Sequence, residues 1–115
     1  PSDISYVNAH GTGTENNDYT ELYGMSQVFE VIPPFISTKS YTGHTLAASG
    51  AIEAVYSLLS LKNQEIYASL NFRKKMPEFE LEPQTEFVPY AEVNHILSNS
   101  FGFGGNCSSL ILSKA

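Results

Sequence analysis

The side chains best suited to catalysis are two histidines and a lysine, which lie in loops with glycine and threonine. His10 opens one loop that runs to residue 14, and Lys39 and His44 begin and end a second loop. A third loop, residues 101–106, is rich in glycine. Imidazole exchanges protons near neutral pH, and its N–H groups stabilise an oxygen that gains negative charge. Each motif alone is weakly specific, because a histidine that follows a strand is more often structural.

Other kinds of site fit the sequence less well. The pair Gly11 and Gly13 lacks the Gly-Lys-Ser/Thr of a phosphate-binding loop, and the third loop falls short of a dinucleotide-binding fingerprint. Zinc sites need ligands at close spacing. The candidate zinc ligands, which are widely spaced, are His10, His44, His95 and Cys107. We therefore expect no metal ion.

The first predicted helix lies between the first two loops. Asp18 and Glu21 have the spacing of a capping box, and apolar residues then recur at helical intervals up to Phe29. The pattern predicts an amphipathic helix from Asp18 to about Phe29. A strand-like run over residues 4–9 precedes the first loop.

A second helix is predicted from Leu46 to Lys62. Its only charge before the end is Glu53, and its residues 47–51 are nearly free of side chains. Such a helix can approach other backbones closely, and we interpret it as apolar all round and central to a larger body. If Glu53 is buried it needs a partner, and Lys39 is the nearest candidate cation.

The remaining segments complete an α/β fold of order β-α-β-α-β-β. A short strand at 35–38 precedes the second loop, residues 64–92 read as extended surface connections, and two strands flank the third loop as a hairpin. We expect a mixed sheet, parallel in its first strands, with the last pair antiparallel. Ligands bind outside the carboxyl ends of parallel strands. The third loop joins the first two there if its strand runs parallel to theirs.

Composition excludes several classes of function. A chain of 115 residues is one domain at most. The net charge of −6 argues against a nucleic-acid partner, and we interpret the basic run at residues 73–75 as a solvated loop. No apolar run approaches the ~18 residues of a membrane span, so we expect no membrane partner and a cytoplasmic location. The start at Pro1, without Met, reads like an excised fragment.

Four motifs in fixed order are far more specific than any one of them. They are Asn8-Ala9-His10-Gly11-Thr12-Gly13-Thr14, Ser37-Thr38-Lys39-Ser40-x-Thr42-Gly43-His44, Ala51-Ile52-Glu53-Ala54, and Ser98-Asn99-Ser100-Phe101-Gly102-Phe103-Gly104-Gly105. Together they resemble the ketoacyl synthases of the thiolase superfamily, especially the chain-elongating, acyl carrier protein-dependent type. The resemblance runs from the first strand to the last.

The resemblance implies a decarboxylative Claisen condensation of an acyl thioester with malonyl-acyl carrier protein, in fatty-acid or polyketide synthesis. His10 and His44 would lie beside the thioester oxygen of the malonyl group and stabilise the enolate. Lys39 would pair with Glu53 and help to orient His44. Full-length enzymes of this type are expected to be homodimers.

Further residues match the family's substrate-binding positions. Thr12 and Thr14 would bond the pantetheine arm of the carrier protein. Phe103 would gate the acyl pocket and lend its backbone N–H to an oxyanion hole, and Gly102 and Gly104 would let that loop move. The resemblance implies no bound cofactor, since phosphopantetheine arrives on the acyl carrier protein.

The family's nucleophilic cysteine has no counterpart in the chain. Cys107 enters the last strand, where no helix N-terminus lowers the pKa of a thiol, so we interpret it as a small core residue. Residues 1–115 are thus expected to be the C-terminal segment of a ketoacyl synthase domain, without the half that carries the nucleophile. The partner would be that half or another copy of the chain.

The resemblance also implies a five-stranded half in which the first strand is central and absent from this chain. Unpaired strand edges and exposed apolar surface would follow. The alternative to an enzyme segment is a non-catalytic remnant or a partner that resembles a chain-length factor. An unrelated small α/β binding module would leave the four ordered motifs to coincidence.

Overall fold

Four strands form one mixed sheet in the computed structural model, which describes all 115 residues. Strand β1 is Tyr6–Asn8, β2 is Phe35–Ile36, β3 is His95–Phe101 and β4 is Cys107–Ser113. Their order across the sheet is β2-β1-β3-β4. β1 runs parallel to β2 and β3, whereas β3 and β4 form an antiparallel hairpin. The predicted mixed sheet and the terminal hairpin are confirmed.

Two long helices connect the strands in the predicted order. Helix α1 is Glu15–Val28; a single turn, α2, is Lys39–Thr42; and α3 is Ser49–Asn63, preceded by a 3₁₀ turn at Leu46–Ala48. The capping box predicted at Asp18 is wrong, because α1 already begins at Glu15 and Asp18 lies inside its first turn. The Glu21 carboxylate does not reach back to Asp18 and instead bonds to the loop after β1.

The two faces of the sheet carry separate cores. Successive side chains of a strand point to opposite faces. Tyr6 of β1 therefore packs with Leu61 of α3, and the neighbouring Val7 packs with Leu22 and Met25 of α1. Each long helix thus covers one face of the same short strand.

Helix α3 presents a polar stripe to the sheet and apolar side chains to the outside. Its inward residues Ser49, Glu53, Ser57 and Ser60 are all buried. Its outward Val55 is 56% exposed and its Leu58 is 52% exposed. The interpretation of this helix as apolar all round is therefore wrong. At Gly50 the helix lies close to a side chain of β3, since an added Cβ would lie 2.8 Å from Ser100 Oγ. Its close approach to other backbones stays a prediction.

The predicted gap at the centre of the sheet is wrong. β1 and β3 pair directly, with Tyr6 opposite Ile96 and Asn8 opposite Ser98. The backbone groups of both strands are therefore satisfied where a missing strand was expected. The sheet ends in β2 and β4. The outer edge of β2 accepts a hydrogen bond from Gln84 N–H at Phe35 O, whereas β4 is exposed along almost its whole length and is the open edge. Cys107 is exposed at its start, so the interpretation of this residue as a core residue is also wrong.

Residues 64–92 form extended connections, as predicted. Their only strand-like contact is the bridge between Ile66 and Val88. The basic run at residues 73–75 is exposed, which agrees with a solvated loop. None of the helices is both long enough and apolar enough to cross a membrane.

The inverted pattern of α3 predicts a contrast between two aliphatic truncations. Ile96→Ala removes a fully buried side chain from the sheet and should lower the free energy of unfolding by about 2–5 kcal/mol. Leu58→Ala on the outward face of α3 should change it by no more than about 0.5 kcal/mol. Urea denaturation followed by circular dichroism measures both. Equal losses would show that the outward face of α3 is packed in solution.

Candidate active site

The carboxyl ends of β1 and β2 bring His10 and Lys39 into contact. The Lys39 ammonium lies 3.2 Å from Nδ1 of His10 and forms an ion pair with the Glu53 carboxylate of α3. All three side chains are buried, with 5%, 8% and 2% of their surface exposed for His10, Lys39 and Glu53. The predicted contact between Lys39 and Glu53 is confirmed. Ser49 Oγ donates a further hydrogen bond of 3.0 Å to the same carboxylate oxygen.

His44 completes a pair of imidazole rings at this end of the sheet. Its ring centroid is 5.3 Å from that of His10, and the two planes are nearly perpendicular at 86°. His44 Nδ1 accepts a hydrogen bond of 3.2 Å from the backbone N–H of Leu46. The expected orienting contact from Lys39 to His44 is not present, because the ammonium contacts His10 instead. The turn that begins at Leu46 orients His44.

The hydrogen bonds assign the tautomer of both rings. An ammonium and a backbone N–H can only donate, so Nδ1 of His10 and Nδ1 of His44 must each accept. A neutral imidazole that accepts at Nδ1 carries its proton at Nε2. The site therefore offers two Nε2–H donors from two neighbouring rings.

The electrostatic surroundings keep His10 neutral. Burial, as the largest cause, and the neighbouring Lys39 and His44 together lower the pKa of His10 from 6.5 to about 4. Near pH 7 His10 is thus an N–H donor without a charge of its own. Its Nδ1 stays free to accept from the ammonium.

Glu21 anchors the loop that carries His10, and the sequence did not assign it this part. Its carboxylate accepts hydrogen bonds from the backbone N–H groups of His10 and Gly11, each 2.9 Å long, and from Asn99 Nδ2 at 3.0 Å. Burial raises the pKa of this carboxyl group. The capping-box spacing drew attention to Glu21 but assigned the wrong partner.

Gly11 allows the loop to turn at this point. Its φ of +43° lies in the left-handed region that favours glycine, and an added Cβ would lie 2.6 Å from Cβ of Ser37. The loop thus passes close against the chain that leaves β2. This approach holds His10 beside Lys39.

The third loop reaches the site through Phe101 rather than Phe103. β3 runs parallel to β1, as convergence of the loops requires, and the Phe101 ring lies 5.7 Å from the His10 ring. Phe103 is fully exposed in the turn between β3 and β4 and is not brought to the histidines. Gly102 donates its N–H to Asn106 O at 3.0 Å, and Gly104 has a φ of +81°. The gating role of Phe103 stays a prediction.

Thr12 and Thr14 stand at the rim of the first loop. Their hydroxyl groups lie 2.7 Å apart, and Thr14 is exposed just before α1 begins. The structure therefore places both threonines in the loop that follows His10. Their part in binding a pantetheine arm stays a prediction.

Comparison with known proteins defines the class to which this fold and site belong. A family model described as the C-terminal domain of beta-ketoacyl synthase matches residues 1–73. That segment contains β1, β2, all three helices and both histidines. The chain belongs to the beta-ketoacyl synthase family.

Individual relatives and solved structures agree with this assignment. A 3-oxoacyl-[acyl-carrier-protein] synthase 1 of Buchnera aphidicola subsp. Baizongia pistaciae is 45% identical over 96% of this chain and 28% of its own length. A ketosynthase in complex with its chain length factor from Xenorhabdus doucetiae is 42% identical, with a TM-score of 0.83 over 100% of this chain and 29% of that one.

A further structure holds a carrier protein. A type II polyketide synthase acyl-carrier protein in complex with its ketosynthase matches with a TM-score of 0.93 and 30% identity, over 100% of this chain and 29% of that one. The chain spans about 28% of the length of the curated relatives that it matches.

The buried ion pair should behave as a unit in mutagenesis. Lys39→Met leaves a buried carboxylate without its cation and Glu53→Leu leaves a buried ammonium, so each should cost about 3–5 kcal/mol of unfolding free energy. The double variant leaves no unpaired charge and should cost no more than either single variant. A double-mutant cycle from urea denaturation tests this. Additive losses would contradict it.

The lowered pKa of His10 should make stability depend on pH in a defined window. Between pH about 6.5 and about 4 the unfolded chain binds more protons at this residue than the folded chain, so His10 makes stability fall as pH falls through that range. The raised pKa of Glu21 acts in the opposite direction. Comparison with His10→Gln isolates the histidine: the advantage of the parent chain should shrink between pH 7 and pH 4.5. An unchanged difference in urea midpoints would contradict the lowered pKa.

Proposed function

We propose that residues 1–115 are the C-terminal segment of a β-ketoacyl-acyl carrier protein synthase, which joins an acyl thioester to malonyl-acyl carrier protein with loss of CO₂. The observation that carries this proposal is the pair of neighbouring imidazole rings at His10 and His44, in which each Nδ1 accepts a hydrogen bond and leaves Nε2 to donate. The segment supplies the groups for decarboxylation. We propose that the nucleophile belongs to a part of the full-length enzyme outside this segment, since the match covers only 28% of the length of the curated relative.

Decarboxylation of a malonyl thioester places negative charge on the thioester oxygen. Two N–H donors fixed beside that oxygen stabilise the enolate and lower the barrier, since they need no reorganisation during the reaction. Lys39 acts as a positioning residue, because its ammonium keeps Nδ1 of His10 free of a proton. Glu53 fixes that ammonium in turn.

An acyl carrier protein that carries phosphopantetheine is the partner we propose for this site. The arm delivers the malonyl group as a thioester, and Thr12 and Thr14 offer exposed hydroxyl groups beside His10 to bind it. Phe103, flanked by Gly102 and Gly104, projects freely from its turn, which is compatible with closure over an acyl group bound elsewhere.

The outward faces of α3 and β4 support assembly with a second body. Leu58 and Leu59 of α3, and Leu110 on the same face of β4, are each between 41% and 52% exposed. Exposed apolar area of this kind marks an interaction surface. We propose that the half with the nucleophile covers it in the full-length enzyme. Homodimerisation and the cytoplasmic location remain predictions.

The non-catalytic alternative has less support. A remnant or a partner resembling a chain-length factor would not require two neighbouring rings held as Nε2–H donors, one by a buried ammonium and the other by a backbone N–H. The curated relatives are named as synthases.

A chimera tests the proposed reaction. The segment of the Buchnera synthase 1 that precedes the match is fused to this chain, and release of labelled CO₂ from malonyl-acyl carrier protein is measured. We expect turnover, and we expect His10→Ala and His44→Ala each to lower the rate by about 10²–10³-fold, because each removes one donor to the developing oxyanion.

His95→Ala is the matched control. His95 is the third histidine of the chain, lies at the start of β3 and bonds to Ser113 Oγ at 2.9 Å, away from the other two rings. This variant should retain the parent rate. A folded chimera without activity, or a His44→Ala variant as active as His95→Ala, would overturn the proposed function.

A further inference from the structure

A cavity of about 530 Å³ lies on the α1 side of the sheet. Its walls come from α1, from the ends of β1 and β2, and from residues 69–76 of the long connection. The volume falls in the range that small-molecule sites occupy, and the cavity stands at the carboxyl edge of the parallel strands, where α/β sheets bind ligands. Thr12 and Lys39, which have roles in the proposed condensation, lie at its edge, but its apolar lining has no part in that reaction.

The floor of this cavity is apolar and adaptable. Leu22 and Met25 of α1 line it together with Phe35 of β2 and with Met76 and Leu81 of the connection, and all five side chains belong to or pack against one hydrophobic cluster. Unbranched methionine side chains adjust to ligands of irregular shape. The floor therefore suits a flexible aliphatic chain.

The rim of the cavity carries free positive charge. Arg73 and Lys74 line it and belong to neither of the two ion pairs of the chain. The acids in the same lining are already engaged: Glu21 accepts three hydrogen bonds, and Asp18 accepts from Gly13 N–H at 3.3 Å and from Asn17 Nδ2 at 3.0 Å. An anionic group at the rim would meet two unpaired cations.

The overall charge makes this rim distinctive. The chain has 12 acidic and six basic residues, and three of the six are consecutive at this point. An anion is therefore repelled by the chain as a whole and attracted here. From the apolar floor and the cationic rim together, we infer that the cavity is a binding site for an amphiphilic anion, an aliphatic chain that ends in a carboxylate.

Such a ligand would also contact residues that hold His10 in place. Lys39, which holds His10, and Gly11, which Glu21 anchors, both belong to the cavity wall. Ligand binding on the α1 side can therefore change the position of His10 on the α3 side through these two residues. The binding itself does not depend on the proposed reaction.

Decanoate binding to the 115-residue chain tests the inference. Met25 and Met76 are the only methionines of the chain and both line the cavity, so ¹³C-methyl methionine labelling reports on this site alone. We expect decanoate, below its micelle concentration, to shift both methyl signals. Octanoate should bind about tenfold or more weakly, since each buried methylene is worth about fourfold in affinity.

Charge variants separate this site from general apolar binding. Arg73→Gln with Lys74→Gln should weaken decanoate binding about tenfold, while Lys62→Gln with Lys114→Gln removes the same charge elsewhere and should leave it within about twofold. Decan-1-ol, which has the same chain without the carboxylate, should bind the parent as weakly as decanoate binds the Arg73/Lys74 variant. Equal affinities for the two charge variants would overturn the inference, as would shifts of the Leu58 methyls without shifts of the methionine methyls.

Discussion

A buried ion pair between Lys39 and Glu53 joins the loop after β2 to helix α3 and sets the geometry of the site. Burial of two charges is costly unless they meet in a fixed geometry with further hydrogen bonds. Ser49 supplies one such bond to the carboxylate, and the ammonium makes another contact with His10. The loop after β2 and the first turns of α3 must therefore stay together, and the same ammonium decides which nitrogen of His10 carries the proton.

The pair also explains why α3 is polar inside and apolar outside. A helix that turns Glu53 towards the sheet brings residues one and two turns away to the same face. These are serines, and Ser57 Oγ accepts a hydrogen bond of 3.2 Å from Asn8 Nδ2. Several apolar residues therefore point outward, among them Leu58, which is half exposed, while Leu61 remains in the core. Helix α3 therefore covers the Lys39–Glu53 pair and leaves apolar surface on its outer side for another body to cover.

The sequence predicted what local pattern and motif order determine, and failed where distant segments meet. The order of strands, loops and helices follows from local sequence patterns. The partner of Glu53 follows from the need of a buried carboxylate for a nearby cation, which Lys39 supplies. The pairing of β1 with β3 joins segments about ninety residues apart, and no local pattern states it. Phe101 and Phe103 are equivalent by type, but only Phe101 lies within a strand beside His10. Glu21 misled because a capping box and a loop anchor share one spacing.

The register of β1 finally decides on which side of the sheet the chemistry lies. Val7 and Ala9 point to the α1 core, while Asn8 bonds to α3 and His10 follows on the same side as Asn8. A slip of one residue would exchange the two faces and turn the imidazole away from Lys39. Glu21 opposes that slip from the α1 side, because its carboxylate holds the backbone N–H of His10 while the side chain points the other way. Glu21 thus fixes the backbone of His10 from the α1 face, while the imidazole ring of His10 contacts Lys39 on the α3 face.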